Sequence, residues 1–168
     1  MPEINHTDAY YFNSDIDWFC RINGVNIHVA SMGHRLPREV ETTLEAVYEQ
    51  VPLIEMAPWG ERQGVWYNED LVRRVLRKAT FTQEGEEIQE ADDMEVARYL
   101  ATFIVMARKG FYSFAPLTID PTDKNYYLMA KPMDYVERNI QGIYMRDIEG
   151  VNVRDIDGQT PLFLEEIL

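Results

Sequence analysis

Two places in the chain gather side chains able to move a proton or hold an anion. Asp17 and His28 flank Asn23-Gly24, the dipeptide best suited to a two-residue type I′ turn because both positions need positive φ. Folding back at that turn sets Ile22 opposite Val25, Cys20 opposite Ile27, Trp18 opposite Val29 and Phe19 opposite His28. His28 then lies diagonal to Asp17, close enough for an acid–base pair in which a carboxylate orients an imidazole. The second place is Gly33-His34-Arg35-Leu36-Pro37-Arg38, at the expected start of a helix. Free backbone donors and the helix dipole favour an anion there, so His34, Arg35 and Arg38 form a candidate ligand site.

Other chemistry-bearing residues read more plainly. Cys20 would need a neighbouring base to act as a nucleophile, but the pleat turns it and His28 to opposite faces, so a packed thiol is expected. Trp59 and Trp66, with Tyr67, bracket Gly60 and Gly64 and form a candidate partner surface. Asp147, Glu149, Asp155 and Asp157 crowd around Gly150 and Gly158, which raises calcium binding. Aligning Gly158 with the glycine of an EF-hand loop puts Val153 and Leu164 at the first and twelfth ligand positions, so solvated turns and no metal are expected. There is no phosphate-cradling glycine motif, no His-Glu-x-x-His and no Gly-x-Ser-x-Gly. No cofactor is implied, and a non-enzymatic role is favoured over catalysis.

The elements that position these residues follow from periodicity. The first hairpin has one wholly apolar face, Ile16, Trp18, Cys20, Ile22, Val25, Ile27 and Val29, and one face expected to be wetter, Asp17, Phe19, Arg21, Asn26 and His28. The stripe Val40, Leu44, Val47, Tyr48 and Val51 predicts a helix over 37–50, and turn residues make the stretch to 66 irregular. Asn68 caps a helix with stripe Leu71, Val72, Val75, Leu76 and Ala79, and Arg73, Arg74, Arg77 and Lys78 suit its C-terminal end. From 83 to 95 there are seven acidic residues and no basic ones, which reads as a flexible connector.

A helix then runs from Asp92 or Asp93 to Gly110, apolar nearly all round apart from Glu95, Arg98 and Thr102, and is expected to be the most buried one. Phe111–Thr118 with Asn125–Lys131 predicts a second hairpin, 133–140 a short helix, and 143–148 with 151–156 a third hairpin. Thr160-Pro161 suits the start of a terminal helix. Hairpin, helices, then hairpins imply an α+β fold: a mostly antiparallel sheet built from hairpins, with helices packed on one face. One domain over residues 1–168 is expected.

Composition narrows the partners. Apolar residues make up 46% of the 168 and charged ones 27%, which fits a folded globular chain. Sixteen basic against twenty-nine acidic residues leave a net charge of −13, which repels nucleic acid and anionic membranes and favours encounter with a basic protein. The longest apolar run, 99–107, is too short to span a bilayer. One cysteine and an N-terminus without a secretion-signal pattern point to the cytoplasm. The composition thus favours a regulatory or protein-interaction role, with a homo-oligomer joined through an open strand edge as a rival.

Residues 150–162, Gly-Val-Asn-Val-Arg-Asp-Ile-Asp-Gly-Gln-Thr-Pro-Leu, resemble the turn and helix start of an ankyrin repeat. The likeness covers about one tenth of the chain, departs at Phe163 where a histidine is usual, and leaves no room for the second helix. It implies protein binding.

Overall fold

Asn23 and Gly24 take φ of 48° and 76°, the two positive values a type I′ turn requires, and they close a hairpin of β1 (Asp17–Ile22) and β2 (Val25–Ala30). Its register is the expected one throughout, from Ile22↔Val25 to Asp17↔Ala30. The computed structural model describes residues 17–32, 52–54, 64–117, 125–134, 147–148 and 156–163. The helix expected over 37–50 and most of the third hairpin lie outside the described residues, as does the short helix expected over 133–140 apart from its first two positions.

The remaining described elements are β3 (Val65–Tyr67), α1 (Glu69–Leu76), β4 (Lys78–Thr82), β5 (Gly85–Gln89), α2 (Asp93–Arg108), β6 (Tyr112–Ala115), β7 (Asn125–Pro132), β8 (Asp147–Ile148) and β9 (Leu162–Phe163). The main sheet runs β3-β7-β6-β2-β1-β8; β9 also pairs with β7, at Asn125 and Tyr126, while β3 pairs with it at Ala130–Pro132. Of the seven described strand pairings five are antiparallel, while β2–β6 and β1–β8 are parallel. The fold is α+β, with a mixed main sheet.

Asp92 opens α2 with a reciprocal cap: its Oδ1 accepts from Glu95 N at 2.8 Å, and its own N donates to Glu95 Oε2 at 3.1 Å. Gly110, at φ 95°, lets the chain leave the helix. Val96, Leu100, Phe103, Met106 and Ala107 face inward while Ala97, Arg98, Ala101 and Thr102 are exposed. The helix is therefore a one-sided cover on the sheet and not the all-round buried rod its composition suggests. Leu71 and Val72 of α1 join Leu100, Phe103, Ala30, Ala115 and Ala130 in one apolar cluster.

Three expectations fail for identifiable reasons. The helix after Asn68 stops at Leu76, with Arg77 extended, because Lys78–Thr82 pairs with Gly85–Gln89. The acidic segment is accordingly half of a hairpin and not a connector; Thr80, Phe81 and Thr82 supply the β preference and Gly85, at φ 129°, the turn. Leu162 and Phe163 form a strand on β7 where Thr160-Pro161 predicts a helix start. Pairing with an available strand edge outweighs a favourable cap.

Candidate functional site

The sheet brings three polar residues into one hydrogen-bonded line. His28 sits opposite Ser113 across the parallel β2–β6 pairing and diagonal to Asp17 across β1–β2. His28 Nε2 lies 2.9 Å from Asp17 Oδ1, and Nδ1 lies 2.6 Å from Ser113 Oγ. An ionised carboxylate can only accept, so Nε2 carries the proton; in the neutral ring Nδ1 then accepts from the serine hydroxyl. Asp17 and His28 are thus brought together as the hairpin register requires, and Ser113 is the partner that sequence reasoning missed. No local signal marks it, because it lies 85 residues from His28 along the chain.

The expected wetter face is buried. Phe19, Asn26, His28 and Ser113 are all buried; Met106 of α2 and Phe111 pack with Phe19, and Phe103 of α2 lies beside His28. The His28 ring lies 5.3 Å from Phe19 and 6.4 Å from Phe103, centre to centre. Arg21 Nε donates to Asn26 Oδ1 at 3.0 Å on the same face. Of Asp17, His28 and Ser113 only Asp17 reaches water, with 31% of its side chain exposed. The order Asp–His–Ser is that of an activated nucleophile. Here the serine oxygen has no exposed surface, so as folded it can attack nothing from outside. What the line does is satisfy the buried polar groups of His28 and Ser113 and join three strands.

Cys20 is buried on the opposite face, and burial pushes its thiol up to about 12, so it is an unreactive packed residue. His34, Arg35, Arg38 and Trp59 lie outside the described residues. Trp66 is half-buried and engaged by its own chain: Lys131 Nζ sits 5.7 Å from its ring centre and 5.8 Å from that of Tyr112. Gly158 packs against Trp66 and Asn68, where an added Cβ would meet Asn68 Nδ2 at 2.5 Å and the Trp66 ring at 2.7 Å. Buried Asn68 fastens this corner. Its Nδ2 donates to Leu128 O at 2.9 Å and Gly158 O at 2.7 Å, while its Oδ1 accepts from Leu71 N at the start of α1.

Asp157 is exposed and its carboxylate accepts from Thr160 N at 2.7 Å and Gln159 N at 2.9 Å, which holds its pKa below the ordinary value. It closes a turn; Glu149 and Asp155 lie outside the described residues. Among the described residues no group of three or more His, Cys, Asp or Glu could hold a metal ion, and no helix is long and apolar enough to cross a membrane.

The acidic hairpin is the second candidate. All ten residues of β4 and β5 are exposed, Phe81 at 82% and Ile88 at 51%. Its pairing puts Ala79 opposite Ile88 and Phe81 opposite Glu86, so Ala79, Phe81 and Ile88 share one face beside Glu86. The base of this arm is tied down. Arg77 Nε meets Glu90 at 2.9 Å, and Arg73 bonds Glu69, Asp93 and the Ala91 carbonyl. The arm is a two-stranded sheet separate from the main one.

No protein family, curated protein or solved structure matches the chain.

Proposed function

We propose that the chain is a non-enzymatic, cytoplasmic protein-interaction domain that binds a basic partner through the β4–β5 arm. The observation that carries this reading is Phe81, a large aromatic held 82% in water on an arm whose base is pinned by ion pairs. Aromatic anchors of this kind dominate binding energy once a partner desolvates them. Glu86 stands directly opposite the anchor with Glu84 in the adjoining turn, and the net charge of −13 steers a basic protein toward it. The closed serine of the Asp17–His28–Ser113 line weighs against hydrolysis. The single, buried thiol fits a reducing compartment.

Affinity capture with the whole chain as bait, at graded salt, tests this against a Phe81→Ser bait. The expected result is a discrete set of basic proteins that the unaltered chain retains, that salt releases, and that Phe81→Ser does not hold. Equal retention by both baits would overturn the reading.

A further inference from the structure

We infer that the free edge of β5 receives a basic, extended segment of the partner as a third strand. The inference rests on the arm being the binding surface and adds how the partner is held. Among the described residues β5 is paired along one edge only, in a sheet of two strands whose residues are all exposed. A two-stranded hairpin is marginal in water, and a third strand both satisfies its edge and covers one of its faces. Strand addition of this kind draws affinity from backbone bonds and selectivity from alternate side chains.

The charges choose the edge and the occupant. β4 carries Lys78, whereas β5 carries Glu86 and Glu87, with Glu84 in the turn before it. Glu90 is taken by Arg77. Along β5 the side chains alternate, Glu86 and Ile88 on one face and Glu87 and Gln89 on the other. An incoming strand therefore meets acid on both faces and one aliphatic position, and that position extends the strip formed by Ile88 and Ala79, with Phe81 diagonal to it. Lysine or arginine with an interspersed apolar residue fits. A second copy of this chain does not, because its own β5 would set glutamates against glutamates.

The test uses the full chain, isotope-labelled, and a short synthetic peptide alternating lysine and valine, beside the same peptide N-methylated at every second residue. Methylation removes backbone donors and blocks strand pairing while keeping the charge and side chains. The expected result is slowed amide exchange confined to 85–89 with the plain peptide, binding weaker by about tenfold or more with the methylated one, and loss of binding in Glu86→Lys/Glu87→Lys. Equal binding of the two peptides overturns strand addition, and so does no binding of the plain peptide. Self-association that Phe81→Ser abolishes would replace the basic segment with a second copy. None of these outcomes touches the arm as a surface, which stands or falls on the Phe81→Ser capture.

Discussion

Phe114 and Phe81 both lie in strands, and they meet opposite fates. Phe114 on β6 has no exposed surface, held between β2 and β7, whereas Phe81 on β4 keeps 82% of its own. The difference lies in what packs on each strand. β6 lies inside a main sheet and is buried on both faces, as is its neighbour β2, whereas β4 belongs to a two-stranded arm whose residues are all exposed. Alternation in a sequence thus fixes which side chains share a face, and only tertiary packing decides whether that face is core or surface. The main sheet uses its polar residues to complete a dry interior, and the arm uses its apolar ones outside.

The sharpest way to break the contrast is to truncate both rings. Phe114→Ala should lower unfolding free energy by about 3–5 kcal/mol, the usual range for emptying a closed aromatic site. Chemical denaturation measures it, and a loss under about 1 kcal/mol would mean that β6 is not in a closed core. Ser113→Ala comes next. It leaves His28 Nδ1 without its partner in a site closed to water, and should cost about 1–3 kcal/mol. Should Ser113→Ala prove neutral, the Asp17–His28–Ser113 line would contribute nothing to holding the three strands together.

How much of this was legible differs between the two regions in the same way. The turn at Asn23-Gly24, the register of β1–β2 and the Asp17–His28 diagonal follow from local geometry, and so do the caps of α2 at Asp92 and Gly110. These need no knowledge of distant residues. The burial of His28 does need it, since Phe103 on distant α2 lies beside its ring. Ser113 joins the pair through a parallel β2–β6 alignment that no local pattern encodes. In the arm, the acidic run reads as a solvated connector because charge masks the alternation; Thr80-Phe81-Thr82 and Gly85 were the available signal. At the C-terminal end, a sound cap sequence lost to an open edge of β7.

A smaller effect is expected where the chain is tight but near the surface. Gly158→Ala drives a methyl group into Asn68 and Trp66, and overpacking of this sort costs typically about 1–3 kcal/mol, at the lower end if the Trp66 ring can shift. Phe81→Ser, measured on stability alone, should stay within about 0.5 kcal/mol, since the ring is in water in the free protein. A large loss of stability there would erase the contrast with Phe114 and mean that the arm is part of the core.

The smallest effect is a pH dependence at Asp157. Its folded pKa is lowered, first by the Thr160 backbone bond and then by that of Gln159, relative to the value it has in the unfolded chain. A carboxylate lowered on folding stabilises the folded state at any pH above its unfolded value, and that contribution fades as pH falls through the folded one. Neutral solution therefore shows the full contribution, and the loss sets in as pH falls through the ordinary carboxylate range and is complete below the folded value. Asp157→Asn keeps an oxygen able to accept from both amides but removes the titration, so its stability should track the unaltered chain at neutral pH with a small constant offset. In acid the two curves should converge, as protonation takes away from the unaltered chain what the amide never had. Curves that stay parallel to the acid limit would mean that the turn at 157–160 depends on the oxygen's position and not on its charge.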